Sequence, residues 1–213
     1  MYKIKHARRD EQTGIIYHDT GTYPLAYRAI RAGLAWPYKN APGYFLLLGQ
    51  ETHKNARGHY PLLFLLEAQY DALHGLLEAL SDACAMVVCD EVFTDMAGNR
   101  ECFEDAFHDH HRQEGTSLYL RQAPWVENFE YGLSLVERHI AHRSLYIPQD
   151  STLARQLGEI PRGDPGEDPE AQFYAVNALR YVVAGFQKYG VHKPMTAQEA
   201  RQLYQQYRPP RGI

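Results

Sequence analysis

Residues 44–48, Tyr44-Phe45-Leu46-Leu47-Leu48, open the stretch YFLLLGQE and read as one continuous apolar strand. A run this long without polar alternation belongs in the middle of a sheet covered on both faces. Downstream, the polar connection GQETHKNARGH leads to a second strand at 62–66. A helix follows over 68–83, with Leu73, Leu76, Leu77 and Leu80 on one face. Residues 84–89, CAMVVC, form another apolar run, predicted as a buried strand that ends at Asp90 and lies beside the first. A turn at Gly98-Asn99 then precedes a polar helix over 100–111. Residues 117–120 read as a strand, 126–141 as a helix and 144–147 as a short strand. Asp150-Ser151 is a helix cap for 152–157, because a Ser or Asp oxygen accepts from the free backbone N–H groups of a first turn. GEIPRGDPGEDPE reads as a surface loop containing the acidic run 163–170. The most periodic helix spans 171–189, with Val176, Leu179, Val182, Val183 and Phe186 apolar. Pro194 stops it, and a last polar helix over 196–207 leads to the tail RPPRGI.

Upstream of residue 44 the pattern is weaker. Residues 2–4 and 14–18 are predicted as short strands around the polar stretch 8–13. Residues 24–34 have helical spacing through Leu25, Ala26, Ile30 and Leu34, and WPYKNAPG then breaks it. The order of elements gives an α/β class, a mixed β-sheet flanked by helices. It divides into an N-terminal extension at 1–43, a domain at 44–190 and a C-terminal helix and tail at 191–213.

At 213 residues the chain is long enough to bury a full core as one domain. Hydrophobic residues make up 45% and charged residues 23%, a globular and not a disordered balance. The net charge of −4 provides no global basic field, so nucleic acid could be held only by a local patch. Arg8, Arg9, Arg28, Arg31 and Lys39 make the first forty residues locally basic. Cys84, Cys89 and Cys102 are too few, and odd in number, for a disulfide framework. The basic start MYKIKHARRDEQ has no apolar core after it, and no apolar run is long enough to span a bilayer. These features predict a soluble, cytoplasmic protein. There is no GxxxxGK[ST] motif for an ATPase motor and no GxSxG nucleophile elbow.

The second half of the chain carries FEYGLSLVERHIAHRSLYI at 129–147, DSTLARQLGEI, the acidic loop, and AVNALRYVV at 175–183. This succession resembles the end of a phage large-terminase nuclease domain, with Asn177–Tyr181 and the short LYI strand as its most specific parts. The resemblance extends weakly back to the strand at Tyr44. It implies an RNase H-like fold and cleavage of viral DNA during packaging, in a phage-infected or lysogenic bacterial cell. DNA and other packaging proteins are the partners it implies. Two Mg²⁺ or Mn²⁺ ions would activate water and steady the leaving oxygen, and such hard cations need carboxylate ligands.

The sequence departs from that pattern in a way that predicts a degenerate site. The resemblance places an acid near Leu48 or Gly49, and the nearest is Glu51. The closing-helix acid falls on Asn177, and the position one turn earlier on Phe173. Asp90 stands where a family acid is expected. The candidate catalytic set is therefore Asp90, with Glu51 and Glu67 as substitutes and Asn177 at a lost Asp position; Asp90 and Glu51 are the candidate metal ligands. Asp90-Glu91 reads equally as a loop start, Glu51 and Glu67 as solvated acids leaving strands, and Asn177 as an internally hydrogen-bonded residue. No cofactor is expected of a degenerate site, and Mg or Mn is expected of an active one. Glu104, His108 and His111 share one helix face in ECFEDAFHDHH, a donor set suited to zinc or manganese and equally ordinary on a polar helix. Cys84 and Cys89 lack CxxC spacing and read as core residues. Three functional expectations result: a non-cleaving binding or assembly component of packaging, an active Mg/Mn-dependent endonuclease, or, with the resemblance accidental, an unrelated α/β interaction protein in which the strands at Tyr44 and Cys84 do not lie side by side.

Overall fold

The computed structural model describes residues 4, 6–22, 24–96, 101–115, 118–124, 129–160 and 169–188. Its centre is a long strand, β3 (Pro24–Ala35), flanked along one side by β4 (Gly43–Glu51), which in turn pairs with β5 (Leu62–Tyr70), all antiparallel. The other side of β3 is shared. Its first half pairs antiparallel with β2 (Ile16–Asp19), itself hairpinned to β1 (His6–Arg9). Its second half pairs parallel with β6 (Glu91–Thr94), which carries β7 (Tyr119–Gln122), also parallel. At the far side β8 (Leu145–Tyr146) pairs parallel with β5. The outermost strands, β1, β7 and β8, have four, four and two residues.

Residues 24–34, expected as a helix, are therefore β3. A bulge explains the error. Tyr27 pairs with Glu51 and Ala29 with Gln50, so Arg28 is an extra residue that breaks the period of two. Beyond it the alternation is clear: Ile30, Ala32 and Leu34 enter one core, while Ala29 and Ala35 face the other. Residues 1–43 thus contribute three strands to the same sheet. The expected strand at 2–4 lies largely outside the described residues, and Arg8 and Arg9, placed in a polar stretch, belong to β1.

Helix α1 (Leu73–Val87) covers the first face, burying Leu76, Leu77, Leu80, Ala83, Cys84 and Val87 at helical spacing. Each large aliphatic side chain buried this way stabilises by about 1.5–3 kcal/mol. The expected strand at 84–89 is therefore the last turn of this helix and its exit. The helix ends at Val88, whose φ of 62° is left-handed and whose N–H returns to the carbonyls of Ala85 and Cys84. A β-branched residue adopts that conformation rarely, so surrounding packing must hold it there. Helix α2 (Glu101–Glu114) adds Phe107 to this core and stacks Phe103 on Trp36.

The second face carries α6 (Tyr174–Lys188) on β3 and β4, with α3 (Phe129–Ala141) and α4 (Thr152–Glu159) against it; α5 (Pro169–Gln172) precedes it. The approach is so close that a Cβ on Gly33 would overlap the Ala178 carbonyl oxygen, and one on Gly185 would lie 2.8 Å from the Phe93 ring. Ser151 caps α4 as expected, accepting from the Ala154 N–H at 3.0 Å. The expected mixed sheet flanked by helices is the observed architecture. Among the described residues no helix is long and apolar enough to cross a membrane. The Gly98-Asn99 turn, residues 163–168 of the expected acidic loop and the helix at 196–207 lie outside the described residues; Pro169-Glu170, expected in that loop, begin α5.

Candidate functional site

Because β3 and β6 are parallel, their ends define two separate regions. At their N-terminal ends β2 and β6 abut along β3 and leave a cavity of about 230 Å³, lined by Arg9, Gly14, Ile16, Arg28, Ala29, Ile30, Asp90 and Glu91. Asp90 lies here, at the start of β6, because α1 takes up the residues expected to form the strand before it. Its carboxylate pairs with the Arg9 guanidinium. Glu91 is held between Arg31 Nε at 2.9 Å and Arg121 Nε at 2.7 Å. Three arginines of this region thus neutralise two acids.

Glu51 ends β4 opposite Tyr27, with its backbone N–H donating to the Pro61 carbonyl. Glu67 lies inside β5, opposite Leu46. Its carboxylate accepts from the Thr152 and Leu153 N–H groups at 2.7 and 3.3 Å, and from the Tyr44 hydroxyl. It caps the first turn of α4 and is not a free ligand. Burial, then the Glu67 carboxylate, push the Tyr44 hydroxyl far above its ordinary pKa. The strand registers separate Asp90, Glu51 and Glu67 from one another by roughly 10–17 Å, whereas ligands of one ion lie within about 5 Å. The structure does not bring these three acids together.

The C-terminal ends of β3 and β6 are the region where α/β sites gather. Thr94 Oγ1 donates to the Leu34 carbonyl at 2.7 Å, and Trp36 Nε1 donates to the Asp95 carbonyl at 3.2 Å, locking the two strand ends together. Asp95, buried at 6% exposure, is the carboxylate at this edge that the sequence reading missed. Its signal was present: once α1 is carried through Val87, the next apolar run is VFT, and it ends in Asp95. Alternation along β6 puts Glu91, Phe93 and Asp95 on the α6 face, where Phe93 meets Gly185 and Tyr181. The matching position on β3 is Ala35, which has no ligand atom in its side chain.

Asn177 completes the edge from the N-terminal half of α6, and is 2% exposed. Its Oδ1 accepts from Arg180 Nη1 at 2.6 Å, while Phe173, one turn earlier, is core. Arg180 is itself buried, 4.3 Å from the centroid of the Phe129 ring and packed against Gly132. The amide oxygen that could serve a metal therefore already accepts from a permanent cation. Among the described residues this edge offers one carboxylate, one engaged amide, one apolar residue and a guanidinium, fewer anionic oxygens than a pair of divalent ions takes.

The helix-face set of α2 does not close a site either. His111 is buried with Nδ1 3.3 Å from Ser81 Oγ, His110 Nε2 lies 3.2 Å from the same hydroxyl, and His108 is exposed. Among the described residues no three His, Cys, Asp or Glu side chains are grouped to hold one metal. Cys84 and Cys89 are buried and free, and Cys102 is exposed.

No family model matches the chain, and no curated protein matches it. Among solved structures, the nuclease domain of the large terminase (g2p) of bacteriophage SPP1, with bound manganese, is similar at 14% identity and a TM-score of 0.49. That match covers 70% of this chain and 84% of the SPP1 domain. The large terminase nuclease of thermophilic phage G20c, with bound zinc, is similar at 13% identity and the same TM-score, over 81% of this chain and 91% of the other.

Proposed function

We propose that this protein is a terminase nuclease-like component of phage DNA packaging whose cleavage site is degenerate, and that it acts in binding or assembly. One observation carries the reading: at the edge where metals would be held, Asn177 Oδ1 is bonded to the buried guanidinium of Arg180. A fixed positive charge there opposes divalent cations, and Ala35 offers nothing to offset it. The terminase-like motifs at 129–147 and 175–183 supply the packaging context. The test is a plasmid-nicking assay with Mn²⁺ and with Mg²⁺. No nicking is expected. Nicking that disappears in Asp95→Ala or Asp90→Ala would overturn the proposal.

The second reading is an active Mg- or Mn-dependent endonuclease, and Asp95 is the observation in its favour, a buried carboxylate at the C-terminal strand ends. It requires Mn²⁺ to bind, detectably by calorimetry, in a manner that Asp95→Ala removes.

A further inference from the structure

At the end of the sheet opposite Asp95, the β4–β5 connection (residues 52–61) folds onto the C-terminus of α3. Asn55 Nδ2 donates to the carbonyls of His142 and Arg143 at 3.2 and 3.1 Å, and Arg57 donates to that of Ala141. These donors satisfy the last carbonyl of α3 and the two that follow it, where the helical pattern no longer supplies partners. His59 stacks on His142 with ring centroids 4.2 Å apart. The connection THKNARGHY holds two cations, two histidines and no acid.

Two further interactions extend this basic surface. Tyr60 is flanked by Arg28, 4.1 Å from its ring centroid, and by Lys54 at 5.2 Å. Arg28 reaches it because it is the bulged residue of β3, and a bulge re-aims the side chain it carries. Arg138 and Arg143 border the same cluster from the end of α3, and both are exposed, as are Arg28, Lys54 and Arg57. Among the described residues none of these five forms a salt bridge, whereas Arg9, Arg31 and Arg121 are engaged by Asp90 and Glu91. Glu51 and Glu137 are acids at the margin, and Arg28 also lines the cavity that holds Asp90 and Glu91, where both acids are taken up by Arg9, Arg31 and Arg121. In a chain of net charge −4, two exposed cations on the Tyr60 ring, with Arg57, Arg138 and Arg143 exposed on the adjoining loop and helix end, make a local excess of positive charge.

We infer that this surface, centred on Tyr60 with Arg28, Lys54, Arg138 and Arg143 around it, binds the phosphate backbone of DNA. The inference builds on the binding role proposed above and places it away from the Asp95 edge. Cations on long stems, with no carboxylate to hold them, suit repeated phosphates, which they meet by releasing counterions and without reading base sequence.

The test is fluorescence anisotropy with a short labelled DNA duplex in EDTA, so that cleavage competence plays no part. Binding is expected to weaken steeply between about 50 and 200 mM salt, with a log–log slope of about −3 if about three phosphates are neutralised. The triple variant Arg28→Gln/Lys54→Gln/Arg138→Gln is expected to bind at least about tenfold more weakly and to flatten the slope by about one for each phosphate no longer neutralised. Arg112→Gln, on the exposed face of α2, is expected to bind like the parent. The three substituted side chains make no backbone hydrogen bond, and an unchanged melting curve verifies the fold. Absence of duplex binding at 50 mM salt, or equal binding by the triple variant, overturns the inference. So does a surface that captures polyglutamate and not DNA, which would mark an acidic protein as the partner. Nicking with Mn²⁺ would overturn the proposed function and leave this inference standing.

Discussion

Arg180 donates from Nη1 to Asn177 Oδ1 at 2.6 Å within the core of the protein, one turn apart on α6. Burying a guanidinium is costly, and here the bond from Nη1 and the packing of the planar face over Phe129 offset part of that cost. Arg180→Lys keeps the charge and loses the plane and the fork. It is expected to destabilise by about 2–3 kcal/mol, and Arg180→Ala by more than about 3 kcal/mol, in urea titrations. A change under about 1 kcal/mol for Arg180→Ala would show that the cation contributes little to this edge.

The close approach of α6 to β3 gives a second expectation. Gly33 has no room for a Cβ, because the atom obstructing it is backbone and cannot rotate away. Gly33→Ala should lift the helix and cost more than about 3 kcal/mol. A soluble variant with parental urea midpoint would contradict the packing.

Glu67 offers a way to separate a structural carboxylate from a metal ligand. Glu67→Ala removes the cap of α4 and the acceptor of the buried Tyr44 hydroxyl, and should cost about 2–4 kcal/mol. Tyr44→Phe, which keeps the cap, should cost less. Neither should alter Mn²⁺ affinity in calorimetry; loss of metal binding in Glu67→Ala would return this residue to the candidate site.

The buried histidines make stability depend on pH. Burial, then the neighbouring His110 and His108, lower His111 to about 4, and burial, then His59, His142 and Arg138, lower His139 to about 4. The unfolded chain binds these protons near 6.5, so between pH 6.5 and 4 it takes up more protons than the folded chain. Stability is complete above that window and declines as pH falls through it. Thermal unfolding at about pH 4.5 should lie on the order of 5–10 °C below that at about pH 7, and His139→Asn should reduce the difference. A midpoint that rises on acidification would refute this.

Much of the second half was legible in the sequence because its signals are local and redundant. Ser151 announces α4, the spacing of Val176, Leu179, Val182 and Val183 announces α6, and Leu145–Tyr146 is short but falls between clear neighbours. The first half was misread at two places where local and tertiary signals compete. The bulge at Arg28 made a strand look helical, and a left-handed Val88 allowed α1 to absorb Cys84 and Val87. The second error moved the candidate site, since it set Asp90 at the end of a strand that in fact follows it, and it hid Asp95. The strand at 44–48, expected beside the strand that follows the helix, is separated from β6 by β3, because residues 24–34 form a strand and not the expected helix. Arg180 was invisible as a site residue because nothing in sequence distinguishes a cation aimed inward from one on a surface.

The margins of the sheet are segments too brief, and in two cases too charged, to recruit another chain. β1 is HARR, β7 is YLRQ, and β8 has two residues. Edges of this kind offer few consecutive backbone groups, and on β1 and β7 guanidinium groups stand beside them, which disfavours growth by strand addition. The apolar run of β4, of a composition that would stack readily if bared, is thereby kept behind paired neighbours on either side, a built-in resistance to fibrillar self-association.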